Sequence, residues 1–219
     1  DDVHYAIEYT VAPIRDFDQS VSGTVVVFRN VTAIRNMMAQ MAYQAKHDSL
    51  TDLINRREFE RQLEASLVVA RETDEEHALC YLDLDQFKVI NDSCGHIAGD
   101  EFLKQLGQLL QKNVRWTDTL ARIGGDEFAV LLRNCKLEKA ELIVDELRRS
   151  LNDYRFVWRD KSFEISSSFG LVAVTKESGR IAEILSAADN ACFHAKELGR
   201  NRIHVYQPDD EALAERRNE

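Results

Sequence analysis

The sequence predicts an α+β fold: an α/β sandwich built on a ferredoxin-like β-α-β-β-α-β unit with an additional helix, preceded by a β-hairpin and a linker helix. Two observations carry that prediction. Short apolar runs with the period of a strand alternate with longer stretches of helical period from residue 48 to residue 207. Midway along that order Gly124-Gly125 separates two apolar segments, as in a tight hairpin. An antiparallel sheet backed by helices accommodates this succession of elements.

Residues 3–12 and 21–29 read as strands, rich in β-branched and aromatic residues and separated by Pro13 and a polar loop containing Asp16, Asp18 and Gly23. From Thr32, placed as the N-cap, to about His47 the pattern turns helical, with Ile34, Met37, Met41 and Ala45 on one stripe. The stripe covers about two heptads and fits a signalling helix or simple packing on a neighbouring domain. The main unit opens at Asp48 and continues in a helix through about Arg71. It then runs through strand 78–84, helix 97–113, strands 119–123 and 127–133 as a hairpin, helix 137–152, strand 163–174, helix 181–198 and strand 202–206. Phe102, Leu103, Leu106, Leu109 and Leu110 share a face of helix 97–113 and pack it on the sheet.

In 219 residues there is room for one full domain and an appendage. A hydrophobic fraction of 44% and a charged fraction of 30% are ordinary for a folded domain. The formal charge of -10 argues against nucleic acid as a partner, since holding many phosphates draws on clustered Lys and Arg. A single nucleotide is still compatible, because a local cation masks acidic ligands. Cys80, Cys94, Cys135 and Cys192 are scattered without a CxxC pair and are expected as reduced thiols in a cytoplasmic protein. No apolar run reaches the roughly 18 residues a membrane span needs. The start, Asp1-Asp2-Val3, has neither Met nor a signal-peptide pattern. We therefore expect a piece of a longer protein, and attachment of that parent to an inner membrane is compatible with the sequence.

The chemistry concentrates around Arg122-Ile123-Gly124-Gly125-Asp126-Glu127-Phe128. Glycines at a turn admit positive φ and let a ligand approach the backbone. Adjacent carboxylates heading into an apolar strand repel each other and lose hydration unless a cation offsets them. Taken alone, the turn fits a solvated loop equally well. A second constellation, Cys80-Tyr81-Leu82-Asp83-Leu84-Asp85, is an apolar strand ending in alternate acids that period two places on one face. Beside the hairpin, Asp83 and Asp126 would form an oxygen site suited to Mg²⁺, which takes one or two carboxylates plus substrate phosphates. Downstream, the polar loop Phe87–Asp100 leads into a helix N-terminus, where Asn91 and Asp100 match a guanine edge or serve as ordinary cap and turn residues.

LTDLINRREF, DLDQFKVIND, GHIAGDE, RIGGDEF and AKELGRN, in this order over about 160 residues, resemble the GGDEF diguanylate cyclase family. The resemblance implies a nucleotidyl-cyclase palm in residues 48–207 that condenses two GTP into cyclic di-GMP with release of pyrophosphate. It implies a homodimer with one GTP per subunit. Mg²⁺ (or Mn²⁺) would be held by Asp83, Asp126, Glu127 and the Leu84 carbonyl, with Asp126 and Glu127 as the catalytic acids. Asn91, Asp100 and His96 would surround guanine, and Phe87, Lys88, Lys196 and Arg200 would meet the phosphates. Lys196 and Arg200 are placed one turn apart at the C-terminal end of helix 181–198. Arg115-Trp116-Thr117-Asp118 resembles the family's RxxD site for inhibition by the product.

Residues 1–31 resemble the end of a PAS sensor domain, with 32–47 as linker helix. The tail 208–219, entered through Val205-Tyr206-Gln207-Pro208, resembles a junction to an EAL phosphodiesterase domain. Such a neighbour keeps an alternative open: a non-catalytic module that binds GTP or cyclic di-GMP and regulates an attached EAL phosphodiesterase.

Overall fold

The structure, a computed structural model, describes residues 4–207. The tail assigned to an EAL junction, 208–219, lies outside the described residues. The chain divides into two compact units, the first ending at Ala45 and the second beginning at Lys46.

In the first unit β1 (Ile7–Arg15) and β2 (Val21–Asn30) form an antiparallel ribbon, followed by α1 (Thr32–Gln44). Pro13 lies inside β1 opposite Thr24, not in the loop. A two-stranded ribbon consists only of edges, where a missing N–H is tolerated. Thr32 is the first helical residue instead of the cap: its N–H is capped by Asn30 Oδ1 at 3.0 Å, and its own Oγ1 accepts from Ala6 N at 2.8 Å. The helix stops three residues short of the expected His47, which belongs to the second unit and forms a bridge with Ile54. Ile34, Met37 and Met41 are exposed along α1.

The second unit is a six-stranded sheet in the order β10-β9-β4-β6-β5-β3, made of β3 (Ile54–Asn55), β4 (His77–Leu84), β5 (Thr119–Gly124), β6 (Glu127–Leu132), β9 (Ser167–Val174) and β10 (Ile203–Val205). The four central strands are antiparallel, in the ferredoxin-like order. The short edge strands differ from the all-antiparallel expectation: β3 runs parallel to β5 and β10 parallel to β9.

Period two divides the sheet's side chains between two cores. Ala78, Cys80, Leu82, Phe128 and Val130 pack with α4 (His96–Asn113) and α5 (Leu137–Asp153). Leu79, Tyr81, Ala129 and Leu131 pack with α2 (Arg56–Thr73) and α6 (Ile181–Glu197). Strands buried on both faces explain why β4, β6 and β9 read as nearly continuous apolar runs.

Two segments depart from the sequence reading. Most of the loop expected after Phe87 is a short helix, α3 (Lys88–Cys94), ended by Gly95 at φ 82°. The single strand 163–174 is two strands, since Arg155–Trp158 (β7) and Lys161–Glu164 (β8) form a separate hairpin. Aromatic packing draws that hairpin off the sheet: Phe156 meets Phe102 edge-on at 5.2 Å and Trp158 and Phe163 at 6.1 and 6.3 Å.

Helix α6 lies directly on β9. A Cβ at Gly170 would overlap the Ala188 carbonyl and the Cys192 amide, both main-chain atoms inside α6. Gly170→Ala should therefore destabilise the domain by about 3 kcal/mol through overpacking. Urea unfolding checks this: the midpoint should fall with the slope unchanged, and an unshifted midpoint would contradict the close approach.

Candidate active site

The site forms where β4 and the β5–β6 hairpin end together. β5 closes at Gly124 and β6 opens at Glu127, so the two turn residues are Gly125 and Asp126 and not the glycine pair itself. Gly125 takes φ 49°, the positive φ that a glycine supplies at the first turn position. Arg122 donates to the Gly125 carbonyl from Nε and Nη2 at 3.0 and 2.8 Å, and from Nη1 to Asp48 Oδ1 at 3.0 Å. Asp48 also accepts from the Thr51 amide and hydroxyl. Burial works against ionisation of Asp48, yet the Thr51 and Arg122 donors hold its carboxyl below the usual range. Asp48 and Arg122 were not singled out in the sequence reading, although the Asp-x-x-Thr spacing is a local turn signal.

Strand register supplies the next component. Asp83 stands directly opposite Glu127, and the Leu84 amide donates to the Asp126 carbonyl at 3.4 Å. Asp83, Asp126 and Glu127 thus occupy adjoining strand ends. Lys196 Nζ lies 2.6 Å from Asp83 Oδ1. Burial pushes the Asp83 carboxyl up to about 6; Lys196 opposes this, and the charges of Asp126 and Glu127 reinforce it. For Lys196, burial acts downward but the Asp83 contact prevails and raises it. The Tyr81 phenol, buried two residues earlier on β4, is raised first by burial and then by the nearby Glu127 carboxylate.

Asp85 does not join this group. β4 ends at Leu84, and the Asp85 carboxylate is buried under the Ser166 and Ser168 hydroxyls. The common face that a period of two assigned to Asp83 and Asp85 is lost because the strand has already ended.

Asn91 lies on α3 with its amide against Gly99 in the first turn of α4, where a Cβ would overlap it; Asp100 follows immediately and is exposed. His96 opens α4 and is exposed. Phe87 precedes α3 and stacks on Phe102 at 5.9 Å, and Lys88 opens α3 in solvent. Arg200 departs from expectation. α6 ends at Glu197, and Arg200 lies beyond Gly199 in a turn at φ 57°, so it is not an i, i+4 helical partner of Lys196. Arg115 and Asp118 line a cavity of about 520 Å³ with Trp116, Gln62 and Arg133, and Asp118 accepts from the Arg133 amide at 3.1 Å.

Among the described residues no three acid, imidazole or thiol groups are assembled as a complete cation cage. Asp83 and the turn acids fit Mg²⁺ instead, which takes few carboxylates and completes its shell with water and phosphate. The lysine ammonium on Asp83 marks where positive charge is needed.

An antiparallel palm with acids on adjoining strand ends and a helix-borne lysine beside them defines a class of protein suited to metal-assisted phosphoryl chemistry. Residues 45–202 match the model of the family described as "Diguanylate cyclase, GGDEF domain", and the chain belongs to that family. It is 41% identical over 208 residues to the probable diguanylate cyclase DgcE of Escherichia coli, covering 95% of this chain and 19% of that one. It is 36% identical over 216 residues to the cyclic di-GMP phosphodiesterase PdeB of Shewanella oneidensis, covering 97% and 24%. The chain thus spans about a fifth to a quarter of these relatives' length. Among solved structures, the coiled coil and GGDEF domain of DgcB from Caulobacter crescentus, in complex with c-di-GMP, superposes with a TM-score of 0.75 at 26% identity, covering 80% of this chain and 93% of that one.

The raised Asp83 carboxyl carries a signed pH effect. A carboxyl whose folded value lies above its unfolded value of 3.8 favours the fold fully below that value, and the contribution is lost as pH rises through about 6. In EDTA, the stability of Asp83→Asn relative to the parent should therefore increase between pH 4 and pH 7.5, by on the order of 1 kcal/mol after solvent screening. Paired urea titrations at the two pH values measure it, and a difference that shrinks toward pH 7.5 would refute the assignment.

Proposed function

We propose that this domain is a diguanylate cyclase that condenses two GTP into cyclic di-GMP and pyrophosphate, working as a homodimer with one GTP in each subunit. The observation that carries this reading is the Asp83–Glu127 register, with Asp126 on the adjoining turn and Lys196 on Asp83. Asp83, Asp126, Glu127 and the Leu84 carbonyl would hold Mg²⁺ or Mn²⁺. When bound, the metal supplies charge neutralisation at phosphate and polarises the attacking and leaving oxygens.

The remaining work falls to the chain. Asn91 and Asp100 present donor and acceptor groups to a guanine edge, with His96 beside them. Phe87, through its backbone, and Lys88, Lys196 and Arg200 meet the phosphates. Lys196, bound to Asp83 at 2.6 Å, is already poised beside the acids and turns to the triphosphate as it arrives. Glu127 takes the proton from the 3′-hydroxyl that attacks the other subunit's α-phosphate, with the Tyr81 phenol lining the same cavity. Positioning two nucleotides face to face supplies most of the acceleration. We read the first unit as the end of a PAS-like sensor with its linker helix, upstream of a cyclase domain spanning 48–207 in a cytoplasmic part of a larger protein.

Likeness to a phosphodiesterase supports a second reading, a module that binds GTP or cyclic di-GMP and regulates an attached EAL domain without turnover. Incubation with GTP and Mg²⁺ over a range of protein concentrations separates the two. We expect cyclic di-GMP at a specific rate that rises with protein concentration. GTP binding without product, together with stimulation of a linked phosphodiesterase, would favour the module. Asp126→Ala should lower turnover by on the order of 10³-fold while the unfolding midpoint stays near the parent's, because it removes a ligand and no core volume.

Arg115 and Asp118 are proposed as the inhibitory product site, a guanidinium reading a guanine acceptor edge. In Arg115→Ala the cyclic di-GMP concentration for half inhibition should rise about tenfold or more. Unchanged inhibition would remove the site from this cavity.

A further inference from the structure

Between α6 and β10 the chain reverses through a turn of unusual backbone. Gly199, Arg200 and Asn201 have φ of 115°, 57° and 48°. Non-glycine residues hold that left-handed region only where neighbours enforce it. Asp85 supplies part of that enforcement. It is 5% exposed, just beyond the end of β4, and its Oδ2 accepts from the Asn201 amide at 3.1 Å and the Ser166 hydroxyl at 2.7 Å. Its Oδ1 accepts from the Ser168 hydroxyl at 2.8 Å. All three donors are neutral, so the buried charge is met by hydrogen bonds, without an ion pair among the described residues.

The other side of the turn is held independently. Arg148 Nη1 donates to Asn201 Oδ1 at 3.2 Å, and Asn201 Nδ2 donates to Asn152 Oδ1 at 3.0 Å. Between these anchors stands Arg200, its amide bonded to the Ala195 carbonyl and its side chain exposed and without an ion pair among the described residues. The backbone at Arg200 is thus fixed while its guanidinium is free to take an anion.

We propose that Asp85 is a positioning residue: by tying the Gly199–Asn201 turn to the strand end that carries Asp83, it aims Arg200 at the triphosphate of a nucleotide bound beside Asp83. The inference rests on the reading of Arg200 as a phosphate contact given above. Asp85 touches no substrate and acts through Arg200, which makes the two positions energetically dependent.

Nucleotide affinity separates this role from general stabilisation. Calorimetric dissociation constants are measured in Mg²⁺ for GMP and for α,β-methylene GTP, which cannot release pyrophosphate. The proteins are the parent, Asp85→Asn, Arg200→Ala and the double variant. Asp85→Asn keeps the volume but offers a donor where the Asn201 amide or a hydroxyl already donates. We expect each single variant to weaken the triphosphate analogue about tenfold, the double variant to lose no more than about tenfold, and GMP affinity to hold within about twofold.

Losses that multiply to about a hundredfold in the double variant overturn the proposal, as does an unchanged Asp85→Asn or an equal loss of GMP affinity. If Arg200→Ala alone leaves the analogue's affinity unchanged, it is the phosphate role of Arg200 that fails, and the role of Asp85 falls with it. Should Asp85→Asn not fold, Ser166→Ala replaces it in the cycle. It deletes one donor outside β9 and should weaken the analogue about threefold, with the same non-additivity.

Discussion

The pairing of β4 with β6 is the constraint on which the rest of this structure depends. With Tyr81 opposite Ala129 and Asp83 opposite Glu127, one face of the sheet end carries a phenol and two acids, and the opposite face carries Leu82, Leu84 and Phe128 into the main core. A slip of one residue would exchange these faces, burying the acids in the main core against α4 and α5 and moving its apolar residues to the other face. The same apolar packing that stabilises the domain therefore fixes the register of its chemistry. Arg122 adds a second fix, since it binds the Gly125 carbonyl and Asp48 together and so ties the hairpin turn to the segment that opens the domain.

The parts of the site that follow from strand period and turn chemistry were legible in the sequence. Asp83 could be paired with the hairpin acids because a period of two and a glycine turn are local signals. α3 was hidden: it is seven residues long with only Ile90 buried, too short to show a helical period. The misplaced Arg200 had a visible signal that was overlooked, since Gly199 just past the helix end is a common helix stop. Asp85 was illegible for a different reason. Its partners Ser166, Ser168 and Asn201 lie 81, 83 and 116 residues away, and no local pattern brings them together.

On the proposed function, electrostatics would have to reconcile an acidic chain with a polyanionic substrate. The net charge of -10 would repel a triphosphate at long range. At short range, Lys196 on α6 is bonded to Asp83, and Arg200 stands exposed on the turn that follows the helix. In the proposed cyclase, positive charge beside an acid pair that holds a metal would favour a chelated nucleotide over a bare one, because the bare triphosphate brings no cation to the carboxylates.

That arrangement stores a cost in the free protein. Burial raises the Asp83 carboxyl to about 6 against the opposing Lys196, and the charges of Asp126 and Glu127 add to the rise. In the proposed cyclase, a cation with its bound triphosphate would relieve the cost twice, by meeting the carboxylates and by giving Lys196 a new anion. Ligand affinity and domain stability are thereby linked through the same atoms: whatever binds the folded site and not the unfolded chain stabilises the fold. The close seating of α6 on Gly170 extends the link, since the helix carrying Lys196 has little freedom to withdraw from β9. On the proposed function, relief would then come from the side chain turning toward phosphate while the helix stays in place.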